Sequence, residues 1–310
     1  MARYILNRIA AVLPVIFVIS LLAFGLEAAT PGDPAYLLLQ AAGVETITPE
    51  AVALKRAELH LDDPLPVRYL DWLKGAARGD FGRSFRSYTP VLTMYRERIG
   101  NTALLAACAV VLGALVAIPL GTLAAYRRGS AIDAVAQMIA VLGSAVPGFW
   151  VALVLIYALS VRLHWLPVFG TPTPRGIVMP AAVLALSNMA ILTRLTRAAM
   201  LDILGKEFVR VARAKGLAPR TVTRVHVLPN AAVPILTVLG LEAAHLMTGA
   251  AVVEYVFAWP GIGKMAVDAA LVQDMPVVVG FAIAAGLIFV AANLVVDVAI
   301  AAFDPRVRSV

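Results

Sequence analysis

Residues 99–126 and 134–161 each run for 28 positions without a charged side chain. As a helix rising 1.5 Å per residue, either run is about 42 Å long, enough to cross a hydrocarbon core of roughly 30 Å with tilt. Soluble domains carry about 25% charged residues. This chain carries 15%, against 61% hydrophobic. It needs a bilayer rather than a larger core.

About 20 apolar residues per crossing picks out six segments, near 9–29, 101–126, 134–160, 177–199, 230–252 and 276–301. The expected fold is an all-α membrane protein with six transmembrane helices. Lysine and arginine placement sets its orientation. With the N-terminus inside, segments 1–8, 127–133, 194–228 and 303–310 are cytoplasmic and hold 14 of the 26 basic residues. The two short outer loops hold only Arg162, Arg175 and Lys264. Both termini are therefore expected in the cytoplasm. The same pattern accounts for the net charge of +7 without a nucleic-acid partner. Arg3 and Arg8 ahead of an apolar stretch resemble a signal peptide, but 18 uncharged residues from 9 to 26 exceed the usual 7–15. A retained first helix is expected. The lone Cys108 lies inside an uncharged run and reads as a small buried hydrophobe.

The expected organisation is a first helix at 1–30, an extracytoplasmic segment at 31–98, a five-helix core at 99–303 and a tail at 304–310. The outer segment carries helix signals. Thr48-Pro49-Glu50 reads as an N-cap followed by proline at the first helical position, and Asp63-Pro64 repeats it. Leu65, Tyr69, Leu70, Leu73 and Ala76 then line one face, up to a stop at Gly79. Such a segment serves as a docking surface or as a structural cover, and composition does not choose between them.

The 200–228 loop is the most informative. Residues 206–215 lack proline and glycine, Gly216 stands at a left-handed C-cap, and Pro219 opens a second helix to about Val227 before Pro229 opens the fifth span. The exposed side is expected to offer Phe208, Val209, Ala212 and Leu217 amid Arg210, Arg213, Lys215 and Arg220, with Gly216 turning the chain where a side chain would collide. Within the spans, Glu242 and His245 fall three residues apart on one face of the fifth. Ionisable groups at that depth either line a pathway or pair at a helix contact, and a proton-coupled carrier would also use them. Asp297 is expected to cap or to pair with Arg306. Pro119, Pro147 and Pro234 are expected to kink helices, and Trp150, Trp165 and Trp259 to anchor at the membrane interface. Enzyme signatures are missing. Gly205-Lys206 and Gly263-Lys264 lack phosphate-loop spacing, there is no HExxH or GxSxG, and Glu242-x-x-His245 has no second copy for a di-iron site.

Ala212-x3-Gly216-x11-Leu228-Pro229 resembles the EAA loop of ABC-importer permeases. Arg210, Val211 and His226 depart from that pattern at its glutamate, first alanine and isoleucine positions. The stretch EFVRVARAKGL at 207–217 is similar to the variant of the dipeptide/oligopeptide/nickel permease family. RYILNRIAAVLPV, TPGDPA at 30–35, LDDPLPVRYLDWL with GDFGRSF, VFAWPGIGK at 256–264 and DPRVR at 304–308 agree with it in order. The resemblance implies a type I ABC-importer permease fold with a mostly helical outer insertion. It also implies coupling to an ATPase through Phe208, Arg210, Ala212, Arg213, Gly216 and Leu217. The implied partners are a second permease, two ATP-binding subunits carrying ATP and Mg, and an extracytoplasmic substrate-binding protein. No cofactor is expected on this chain, and the cargo is a short peptide, or alternatively nickel or another small solute.

Overall fold

The computed structural model describes residues 14–25, 29, 32–44 and 46–303. Most of the N-terminal motif, the first two residues of TPGDPA, the closing DPRVR and the side chains of Asp297 and Arg306 lie outside the described residues. Among those described, all regular structure is helical. Helix α1 is Pro14–Gly25. It is followed by α2 Pro34–Ala41, α3 Pro49–Glu58, α4 Leu65–Ala77, α5 Val91–Tyr126, α6 Ala131–Ala145 and α7 Gly148–Leu155. Then come α8 Val178–Leu204, α9 Glu207–Ala214, α10 Pro219–Thr221, α11 Leu228–Gly249, α12 Ala251–Val256, α13 Ile262–Leu271 and α14 Met275–Phe303.

Four of these helices are long and apolar enough to cross a membrane singly: α5, α8, the continuous helix Pro219–Thr248 and the Met275–Val295 part of α14. Helix α5 begins at Val91, well before the expected 101, because Arg96, Glu97 and Arg98 interrupt the apolar run without interrupting the helix. The segment 134–160 is not the single helix expected. It is two helices, Ala131–Ala145 and Gly148–Arg162, bent by 98°. Pro147 forces this, since it disfavours the helical region at Val146, which is extended at φ −86°, ψ 126°. Pro119 and Pro234, by contrast, lie inside continuous helices. A second correction concerns Pro229. Helix α10 passes through π turns at Val222–Val227 straight into α11. A proline ring crowds the carbonyl four residues back, and wider turns there relieve that clash.

The chain forms two compact units. The first holds residues 102–259 and 289–303. One of its cores gathers Leu105 and Ala109 of α5, Met179 and Val183 of α8, and Leu246, Val253, Phe257 and Trp259. Cys108 packs against this core only partly buried. Trp259 is completely buried, so it is not the interfacial anchor expected, whereas Trp150 and Trp165 are exposed. The second core joins Ala117 of α5, Leu192 and Met200 of α8, Val209 and Ala212 of α9, and Val222 and Val227. Small residues let these helices approach closely. A Cβ on Gly121 of α5 would lie 2.7 Å from the Thr193 carbonyl oxygen, and one on Gly143 of α6 would lie 3.1 Å from that of Leu186.

The second unit holds the described residues up to 101, and residues 260–288. Thr48 caps α3 as expected, its Oγ1 accepting from the Ala51 N–H. Helix α4 starts one residue later than expected, with Pro64 as cap and no side-chain cap bond, so Asp63 does not cap it. Tyr69 is buried and donates or accepts a 2.8 Å hydrogen bond with Ser20, but Leu65 and Leu70 of the expected inner face are exposed. Gly79 ends the segment at φ +85°. Phe17, Phe24, Tyr69 and Trp72 form an aromatic group beside α1. Farther along, Asp274 is buried. It accepts from Ser84 Oγ at 2.5 Å and from the Phe85 N–H at 2.9 Å, while Tyr95 donates to the Val277 carbonyl.

Candidate coupling surface and pathway residues

Helix α9 is eight residues long and has no side-chain N-cap bond. Alone it would be marginal, so packing must hold it. Val209 and Ala212, three residues apart, are 0% and 5% exposed and sit in the core with Met200, Val222 and Val227. This corrects the expectation that both face outward. An amphipathic helix buries its apolar stripe against its own protein first. The outer face keeps Phe208, Val211 and Leu217, exposed among Arg210, Arg213, Lys215 and Arg220.

The helix ends in a Schellman arrangement. Leu217 N–H donates to the Ala212 carbonyl and Gly216 N–H to that of Arg213. Gly216 sits at φ +78° with open space around its missing Cβ. The glycine is therefore needed for its left-handed backbone, not to avoid a collision within the chain. Beyond it, Thr223 Oγ1 donates to the Pro219 carbonyl, closing the first turn of the rising helix.

Glu242 and His245 lie one turn apart on α11, the carboxylate half-buried and the imidazole exposed. Thr248 Oγ1 donates to the His245 carbonyl. The structure adds an acid that the sequence reading passed over. Glu254 of α12 is fully buried and accepts from Thr102 Oγ1 at 2.7 Å. The rule that singled out Glu242, an ionisable side chain in an apolar stretch, applies equally to Glu254. The same neighbourhood folds the 256–264 motif. Ala258 takes φ +51°, and the Phe257 carbonyl accepts from the Gly170 N–H at 2.6 Å. The sequence also gave no sign that Asp133 pairs with Arg197 or that Asp274 holds the 84–85 turn, since both partners are remote along the chain.

The model of the family described as binding-protein-dependent transport system inner membrane component matches residues 117–309. That of its N-terminal membrane component matches residues 1–106. The chain belongs to this permease family. The permease is 37% identical, over an alignment 323 positions long, to the oligopeptide transport system permease protein AppB of Bacillus subtilis (strain 168), covering 99% of this chain and 100% of that one. It is 35% identical, over an alignment 339 positions long, to the dipeptide transport system permease protein DppB of Escherichia coli (strain K12), covering 99% of each. A chain of the MetNI methionine ABC transporter, solved in inward-facing conformations, superposes with a TM-score of 0.52 at 20% identity. The match covers 67% of the permease and 96% of that chain, which shows a shared fold.

Proposed function

We propose that the permease is one membrane half of an ATP-driven importer of short peptides, with α9 as the element that receives force from an ATPase. The observation that supports coupling is the two-sided build of α9. Val209 and Ala212 seat it in the core that also holds Val222 and Val227 of the next helix and Met200 of α8, while Phe208, Val211 and Leu217 stand exposed amid basic residues. An exposed aromatic beside arginines suits an acid-rimmed groove, in which charge-assisted bonds surround a buried anchor. Phe208 would fill such a groove, Arg210 and Arg213 would pair with its acids, and Gly216 with Leu217 would set the angle of exit. Ala212 would act from inside, by seating the helix.

In this reading both termini and the 200–228 loop are cytoplasmic. ATP and Mg reside on two separate ATP-binding subunits, a second related permease completes the pathway, and an extracytoplasmic binding protein delivers the cargo. The peptide cargo follows the names of the full-length relatives. Glu242 and His245 are the pathway candidates, and Glu254 joins them as a buried acid near the outer end of the fifth span.

Uptake of labelled di- and oligopeptides in cells with and without the gene tests this. Gene-dependent uptake that survives an ionophore and stops on ATP depletion is expected. Collapse with the ionophore alone would instead make Glu242 and His245 the centre of a proton-coupled carrier. Absence of gene-dependent peptide uptake would move the cargo to nickel or another small solute.

A further inference from the structure

Arg197 of α8 grips Asp133 of α6 through two parallel bonds, Nε to Oδ1 at 2.6 Å and Nη2 to Oδ2 at 2.7 Å. The aspartate side chain is 6% exposed and that of the arginine 21%. Oδ2 also accepts from the Gly129 N–H at 3.0 Å, so the turn before α6 is tied into the same knot. Most ion pairs among the described residues are solvated and close in sequence, such as Lys55 with Glu58 and Lys74 with Asp71. Pairs of that kind contribute little. The Asp133–Arg197 pair is remote along the chain, forked and shielded. As mere packing it would be poorly chosen, because an apolar pair stabilises a buried contact at least as well. What a fork adds is a fixed angle and distance between two helices.

Its place on α8 gives that rigidity a use. Thr193, Thr196 and Met200 form one buried stripe of α8, packed toward Gly121 of α5 and the core that holds α9. Arg194 and Arg197 form the neighbouring stripe, about 100° around the helix. Arg194 donates to the Ala140 carbonyl of α6. Toward the far end of α6, a Cβ on Gly143 would lie 3.4 Å from the Ala190 Cβ, so α6 and α8 touch closely there too. Contacts near both ends thus tie α6 to α8. Just beyond the Gly143 contact, α6 ends at the Val146-Pro147 break, where the chain bends by 98°. A push on α9 thus reaches α8 through the core that Val209 and Ala212 share with Val222, Val227 and Met200, and reaches α6 through the fork.

We infer that Asp133 and Arg197 are positioning residues of the transport cycle, a strut that makes α6 follow the coupling helix. This rests on the importer reading above. Without the strut, α9 and α8 would still move under an ATPase, but α6 would lag and the motion would be spent without opening the pathway. The pair should therefore govern peptide moved per ATP hydrolysed, more than assembly or hydrolysis itself.

The test uses the complete transporter, with its partner subunits, in liposomes, measuring uptake, ATP hydrolysis and the amount of assembled complex. Asp133→Asn keeps the shape and an acceptor for Gly129, and Arg197→Gln removes the other charge. Each is expected to lower peptide transported per ATP about tenfold at constant assembly. The double variant should be no worse than either single one, since both remove one interaction. Arg197→Lys, with a point charge but no fork, should fall between. An unchanged ratio, a loss that only tracks assembled complex, or additive losses in the double variant would each overturn the strut. Wild-type complex that moves no peptide with ATP would instead overturn the importer reading beneath it.

Discussion

The 200–228 loop and the segment from 32 to 90 are both built from short helices, yet different chemistry holds each. In the 32–90 segment, polar devices dominate, some local and some remote along the chain. Asp33 and Thr48 cap α2 and α3, Arg56 pairs with Asp33 and Asp62, and Asp274 gathers the 84–85 turn. In the loop, α9 has no side-chain cap and is held by two apolar residues and a glycine turn. The first arrangement spreads stability over many small contacts. The second concentrates it on one inner stripe and leaves the outer face free of internal duties. The second build suits the docking role proposed for the loop, because its exposed residues can change without unfolding the helix.

The largest expected effect lies in the loop. Gly216→Arg places a side chain on a left-handed backbone, which costs about 1–2 kcal/mol, in space that this chain leaves open. The helix should survive and the membrane insertion with it, while peptide uptake and ATPase association are lost. Gly216→Asn, which tolerates the same backbone, should keep most uptake. If the arginine variant transports normally, the outer face of the loop is not a docking face and the contrast with the 32–90 segment fails.

Asp274→Ala makes the opposite demand. It orphans the Ser84 hydroxyl and the Phe85 N–H. Leaving such donors without their carboxylate should cost about 3 kcal/mol, read as lower thermal stability in detergent and faster proteolysis near residue 85. Within the loop, Val209→Ala and Phe208→Ala separate inside from outside. The first should cost about 2 kcal/mol through its cavity. The second should leave stability unchanged and weaken ATPase association. Equal stability losses from the two would mean that α9 has no free face.

Local signals were legible in the sequence and remote ones were not. The Thr48 cap, the Gly79 stop and the Gly216 turn each depend on residues within a few positions, and each stands where expected. The apolar runs gave the helical class, but charge alone did not mark where α5 begins, and Pro147 turned out to break a span rather than bend it. Which side of α9 faces inward depends on Met200 and Val227, and no local pattern reveals them. Trp259 was misplaced for the same reason: its burial comes from Phe257, Met179 and their neighbours rather than from its own flanks.

The smallest expected effect calibrates the comparison. Thr48→Ala removes the acceptor for the Ala51 N–H at the start of α3, an exposed bond of 3.2 Å. Loss of such a cap costs about 1 kcal/mol, and exposure puts this one at or below that. Helix α3 has no fully buried residue, and its hold on the rest of its unit includes the Arg56–Asp33 pair, which the substitution leaves intact. Hydrogen exchange should therefore quicken in the first turn of α3 alone, with peptide uptake unchanged. Uptake that drops with so local a loosening would mean that α3 takes part in delivery of the cargo, and the 32–90 segment would then have to be read as a working surface, as is proposed for the loop.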